Sequence, residues 1–252
     1  MLFKMPEKNY ILCEDKIPVV VPKRIMVFAG HPDDELVSCG GTILKYQELG
    51  AKITVVVATQ GLGGYAKSEN KDKVTSRRQS ELMHIKQKLN WDVIELGHED
   101  LKVNRKTVAR VTNLIRDEKP HVILLPHFTD FHRVHRSLSK ICREAIYHCS
   151  TGKAYGGYGR NWTPYGVYYY ESPSCKFQYI DASVFVVVDI SSYMEQKLHI
   201  FDEVYTSQKE ILEQVTEWAE DTATLRGNDI YKEYGEAFIP ETTYSPLKIL
   251  LV

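Results

Sequence analysis

The residues best equipped for chemistry stand at Gly30-His31-Pro32-Asp33-Asp34-Glu35, directly after the apolar run Ile25-Met26-Val27-Phe28. One imidazole and three carboxylates at that point could bind a divalent cation and handle protons. A second set lies far along the chain, in His127-Phe128-Thr129-Asp130-Phe131-His132-Arg133-Val134-His135. His31 and Asp34 are three residues apart, and so are His132 and His135. At the entry to a helix that spacing lets both side chains reach one ion. Three ligands of the His/His/Asp kind, with a position left open for water, form a common catalytic zinc environment. Zinc lowers the pKa of the water it holds to roughly 7, and a neighbouring carboxylate that stays off the metal, such as Asp33, can then take the proton. That is hydrolytic chemistry. The competing reading is structural, because a Pro-Asp-Asp-Glu run opening a helix is also good N-terminal capping chemistry. Capping accounts for Asp33, Asp34 and Glu35. It does not account for His31 at a strand end or for the second histidine set, and the residues alone leave both readings open.

The two sets work together only if the fold joins them. Strand-sized apolar runs alternate with stretches of helical period, which gives an α/β class with a doubly wound, Rossmann-like, mainly parallel sheet flanked by helices. Strands are expected at 24–30, 52–59, 93–96, 121–127 and 183–190, with helices at 36–49, 75–89, 106–118 and 133–147. The C-terminal third reads as helical from Ser191 to about Leu225 and irregular beyond it. If the first four strands lie in the order 3-2-1-4, strands one and four flank the switch point where such sheets bind ligands, beyond the strands' carboxyl ends. Both sets of candidate ligands would then face one crevice. Residues 151–181, rich in Gly and Tyr, break the alternation. They read either as a substrate-side flap or as a hairpin whose rings pack a satellite core or a subunit contact.

The bulk properties narrow the function class. A chain of 252 residues can form a single domain, taken here as 1–252 with its core at about 24–238. Thirty-two Lys and Arg against 33 Asp and Glu leave a net charge of -1, with no electrostatic footprint for nucleic acid or an anionic membrane. No apolar run approaches the roughly 20 residues of a membrane span. The N-terminus has no long apolar centre, and the five cysteines (Cys13, Cys39, Cys142, Cys149, Cys175) form no CxxC pair, so a cytoplasmic protein with reduced, packing thiols is expected. The stretch Gly61-Leu62-Gly63-Gly64-Tyr65-Ala66 fits a loose dinucleotide pattern, but it follows the second strand and no helix opens there, which argues against a nicotinamide cofactor.

At these residues the sequence resembles the LmbE-like or PIG-L family of zinc-dependent de-N-acetylases. The leading Ala-His-Pro-Asp-Asp-Glu element of that family stands here as Gly30 to Glu35, followed by Gly40-Gly41-Thr42. Thr59-Gln60-Gly61, Arg78-Gln79-Ser80-Glu81, Asp100-Leu101, Ser207-Gln208 and Tyr234-Gly235-Glu236-Ala237-Phe238 match further elements in order. The resemblance implies that His31, Asp34 and His135 hold Zn2+, with Fe2+ or another divalent ion as substitutes. It implies Asp33 as the general base and His132 as oxyanion stabiliser or acid, with Arg78 and Asp100 contacting the substrate. The implied reaction is hydrolysis of a linear amide C–N bond, removing the N-acetyl group from an N-acetylglucosamine-type sugar or glycoconjugate. The partner is then a small amino sugar, and a homo-oligomer is left open.

Two departures bear on that reading. The glycine at residue 30 replaces alanine and reads as a steric relaxation only. Val134 stands where the family usually has an aspartate that partners the first histidine, so His132 is expected to be neutral at pH 7 more often, or to take Asp130 as its partner. A metal-retaining but catalytically impaired sugar-binding or regulatory homologue is the alternative, with Val134 its sole argument. His127 is expected to be structural.

Overall fold

The computed structural model describes residues 10–12, 18–61, 71–98, 101–151, 153–156, 160–180, 185–243 and 251. Its strands are β1 (Tyr10–Leu12), β2 (Pro18–Val20), β3 (Arg24–Ala29), β4 (Lys52–Thr59), β5 (Asp92–His98), β6 (Val122–Pro126), β7 (Gly166–Tyr170), β8 (Val186–Asp189) and β9 (Gly235–Pro240). Its helices are α1 (Asp34–Glu48), α2 (Lys71–Leu89), α3 (Arg105–Glu118), α4 (Arg133–Thr151), α5 (Met194–Val204) and α6 (Lys209–Asp229). β1 and β2 pair antiparallel apart from the rest, while the other seven strands form one sheet in the order β5-β4-β3-β6-β7-β9-β8. Contacts from β5 through β7 are parallel, and β9 runs antiparallel to both its neighbours.

Near-continuous apolar strands are what a sheet covered on both faces requires. Ile25, Val27 and Ala29 of β3 join one buried layer with Leu36, Ile43, Leu82, Ile85 and Ile200, under α1, α2 and α5. Met26 and Phe28, pointing the other way, join Val108, Val111, Ile115, Leu138 and Ile141 beneath α3 and α4. The α/β, doubly wound expectation holds, including the order of its first four strands, since β5-β4-β3-β6 places the switch point between β3 and β6. α3 is entered through Asn104, whose side chain accepts from the amides of Lys106 and Thr107, and it ends at a left-handed Lys119 ahead of Pro120. Cys39, Cys142, Cys149 and Cys175 are buried free thiols, and Cys13 lies outside the described residues. Among the described residues no helix is long and apolar enough to cross a membrane.

Two sequence expectations are corrected. Residues 166–170 are neither flap nor satellite hairpin, because β7 lies inside the sheet between β6 and β9. Tyr168 and Tyr170 enter one core layer and Tyr169 the other. Burial of the Tyr169 and Tyr170 rings is possible because each hydroxyl finds a partner: Tyr170 donates to the Phe28 carbonyl at 2.8 Å and Tyr169 to Glu241. The region beyond Leu225 is likewise not irregular throughout, since β9 closes the gap between β7 and β8. Both misreadings arise from short strands whose pairing partners are distant in sequence. Tyr170→Ala is therefore expected to cost about 3–5 kcal/mol in denaturant unfolding, as for loss of a large buried ring. Tyr179→Ala, at a side chain 81% exposed, should change stability by less than about 0.5 kcal/mol.

Candidate metal centre

β3 and β6 are parallel neighbours, with Val27 opposite Leu124, so the loops leaving their carboxyl ends lie side by side. The first loop carries His31 and Asp33 into Asp34 at the start of α1, and the second carries Asp130 and His132 into α4, where His135 occupies the first turn. His31, His132 and His135 each bring a ring nitrogen within 4.8 Å of the others. The Asp34 Oδ2 atom lies 3.3 Å from His31 Nδ1 and 3.0 Å from His135 Nε2. It also accepts the His31 backbone N–H at 2.8 Å, which fixes the carboxylate across the mouth of the loop.

His135 is oriented from behind. Its Nδ1 lies 2.9 Å from Asp130 Oδ2, and Asp130, fully buried, also accepts from Ser172 Oγ, Ser174 Oγ and the His132 backbone N–H. Those bonds turn Nε2 toward Asp34, where it is buried 3.0 Å from Oδ2. A ring nitrogen presented in this way, with a carboxylate behind the other nitrogen, is the arrangement found behind metal-bound histidines. The charge balance agrees. Burial lowers the His135 pKa, but Asp34 and Asp130 more than reverse it and raise it to about 10. Burial raises Asp34, yet the His135 and His31 rings outweigh it and hold that carboxyl well below its usual range. The pocket thus favours a positive charge between Asp34 and the rings, and the donor set present fits a divalent cation.

Gly30 is more than a steric relaxation. A Cβ built there would meet His135 Cδ2 at 2.6 Å and Asp34 Oδ2 at 3.1 Å, so in this structure the ring lies in space that an alanine methyl would share only after a shift of the ring.

Asp33 does not cap α1. Its side chain makes no capping hydrogen bond, and its backbone sits at φ 114, a strained region for a non-glycine residue. Arg78, 3% exposed, donates to the Pro32 carbonyl at 2.6 Å and to Asp33 Oδ2 at 3.1 Å. Glu35 Oε2 accepts the Asp33 N–H at 3.2 Å, and Tyr205 donates its hydroxyl to Glu35 Oε1. Burial raises Asp33 to about 6, with Arg78 opposing, and raises Glu35 to about 7, with the Tyr205 hydrogen bond opposing. Arg78 thus engages the loop itself. Asp100 lies outside the described residues.

His132 is exposed, its ring edge-on to His31 at 4.6 Å between centroids and 4.8 Å from His135. Asp130 reaches it only through the backbone and gives its side-chain contact to His135, so it does not replace the family aspartate at the His132 ring. Partial desolvation, followed by the His135 and His31 charges, lowers the His132 pKa and favours the neutral ring. Val134 turns into the core. His127 bonds Thr129 at 2.8 Å and stacks among Phe128, Tyr169 and Phe177, with burial lowering its pKa to about 4, consistent with a structural role.

The family model described as GlcNAc-PI de-N-acetylase, PIG-L, matches residues 26–146. The matched segment runs from β3 into α4 and contains His31, Asp33, Asp34, Arg78, Asp130, His132 and His135. Over 111 residues the chain is 24% identical to a diacetylchitobiose deacetylase of Thermococcus kodakarensis, a match covering 41% of this chain and 40% of that protein. The chain thus matches under half the length of this curated relative. The fold is similar to that of the N,N'-diacetylchitobiose deacetylase of Pyrococcus horikoshii, with a TM-score of 0.76 at 23% identity over 87% of this chain and 84% of that one. It is also similar to GalB, the 4-carboxy-2-hydroxymuconate hydratase of Pseudomonas putida KT2440, with a TM-score of 0.73 at 19% identity over 87% and 96%. One architecture therefore carries more than one named activity, and the reaction has to be argued from the site.

Sequence reading missed the contributions of Ser172, Ser174 and Tyr205, all beyond the matched segment. Isolated hydroxyls carry no periodic or spacing signal.

Asp34 and Asp130 raise the His135 ring to about 10, and an imidazole must be neutral to ligate, so a cation held by His135 should release about one proton on binding at pH 7 and bind more tightly as pH rises toward that value. Calorimetry in buffers of different ionisation enthalpy checks this, and a buffer-independent heat would contradict it.

Proposed function

We propose that this protein is a metal-dependent amidohydrolase that removes an N-acetyl group from an N-acetylglucosamine-type sugar or glycoconjugate. The observation that carries the reading is the convergence of His31 and an oriented, buried His135 Nε2 on Asp34, with a second carboxylate, the adjoining Asp33, held by Arg78. His31, Asp34 and His135 would hold the cation. Zn2+ is the first choice for two imidazoles and a carboxylate, with Fe2+ or another divalent ion accepted by the same donors. When bound, it supplies Lewis acidity toward water and the acyl carbonyl.

The chain's own groups do the rest. Asp33, raised to about 6, is mostly ionised at pH 7 and basic enough to take a proton from water as the water oxygen bonds to the acyl carbon. His132, neutral and exposed at the mouth, donates an N–H hydrogen bond to the acyl oxygen as that atom gains charge. The C–N bond then breaks, the proton held on Asp33 passes to the departing nitrogen, and acetate and a free amine result. In this proposal Arg78 acts on Asp33 as a positioning residue rather than on the sugar, and Asp100 keeps its substrate-contact role. The name of the curated relative supports an acetylated amino sugar as substrate. The reduced, buried thiols favour a cytoplasmic setting.

The test is paired: metal content of the purified protein, and amine release from a panel of N-acetylglucosamine derivatives before and after chelation. Stoichiometric metal with chelator-sensitive release is expected. Asp33→Ala should keep its metal and lose about 10²–10⁴ in turnover, whereas His135→Ala should lose the metal. Undiminished turnover in Asp33→Ala would remove Asp33 as the base. Metal without release from any derivative would favour the impaired homologue, and a gain of release in Val134→Asp would then trace the defect to that position.

A further inference from the structure

α1 is broken where the site needs it. Cys39, at φ −146 and ψ 21, departs from helical geometry and separates the turn carrying Asp34 from the remainder of the helix. In an unbroken α-helix the Gly41 N–H donates to the Val37 carbonyl. Here the Gly41 N–H donates to Glu236 Oε1 at 3.0 Å and the Thr42 N–H to Glu236 Oε2 at 2.7 Å, while the Val37 carbonyl accepts from Lys197 Nζ at 2.9 Å. Lys197 and Glu236 meet at 2.8 Å, and both are buried. A buried ion pair, one partner from α5 and the other from β9, is thus set between two groups that a regular helix joins directly. Side chains inserted into the ladder in this way are an identifiable cause of helix kinks.

The surroundings admit no bulkier chain at the break. A Cβ at Gly41 would meet Ile190 at 2.7 Å, and one at Gly40 would meet Leu36 at 2.9 Å. The turn ahead of the break is short, and its amides at Leu36 and Val37 bond back to the carbonyl of the strained Asp33. Its direction therefore depends on what holds its far end, the Val37 carbonyl.

Building on the metal-site reading, we infer that the Lys197–Glu236 pair is a positioning device for the metal centre, setting the angle at which the first turn of α1 presents Asp34 beside His31 and His135. Neither residue touches the site. The inference gives a role to two matched elements that the hydrolytic chemistry leaves unused, Gly40-Gly41-Thr42 and Tyr234 to Phe238.

The test reads cobalt binding by the full-length protein, through affinity and the visible absorption of bound Co2+. Glu236→Asp keeps both charges but withdraws the carboxylate by one methylene, and Lys197→Met/Glu236→Gln removes both charges at similar volume. Each variant, folded by circular dichroism at the measuring temperature, should bind Co2+ about tenfold or more weakly and with a shifted absorption band. A pair that only supports the fold would lower the melting temperature and leave affinity and band unchanged, and that result would overturn the inference. Glu236→Asp keeps the pair and is the variant expected to remain folded. A wild-type protein that fails to bind Co2+ would instead overturn the metal-site reading on which the inference rests.

Discussion

The bond between His135 Nδ1 and Asp130 decides which face of one imidazole looks into the crevice, and the site is arranged around that decision. With Nδ1 engaged at 2.9 Å, Nε2 has to face Asp34, and Asp34 in turn is held by the His31 backbone. Asp130 can serve as the anchor because it is itself saturated by two serine hydroxyls and an amide. A buried carboxylate with fewer partners would regain a proton or draw in water, and the ring would lose its fixed orientation.

The same requirement recurs around the loop. Charged groups taken out of water persist only when paired and fully hydrogen-bonded. Asp33 meets Arg78, Glu236 meets Lys197, and Glu171 meets Arg226 through two contacts of 2.9 and 3.0 Å. Of these partners Arg78 of α2 holds the loop after β3 directly, and Lys197 of α5 and Glu236 of β9 hold the helix that follows it. A loop with a positive-φ aspartate in its middle needs such support, because its backbone conformation is unfavourable when left to itself.

Likeness of fold shows the architecture and no more. Neighbours of comparable structural similarity carry deacetylase and hydratase names, as expected when function resides in side chains grafted onto a common sheet. The hydrolytic reading therefore stands on the donor set and on Asp33.

Much of this was legible in the residues. Apolar runs with two-residue and helical periods pointed to the α/β class and the order of the first four strands, because burial on both faces of a sheet leaves a strong local pattern. That His31, Asp34 and His135 would meet was legible because ligand chemistry restricts residue types and spacing. What only the tertiary structure decided depends on groups that meet from far apart. No flap forms from Gly166 to Tyr170, since that run is stabilised by β6 and β9, neither of which is local to it. The close approach to residue 30 comes from the ring of His135, on a different strand-to-helix loop far along the chain. Asp130 turned from a candidate partner of His132 into the anchor of His135, and Arg78 from a sugar contact into a clamp on the loop, because side-chain direction follows from packing rather than from position in the chain.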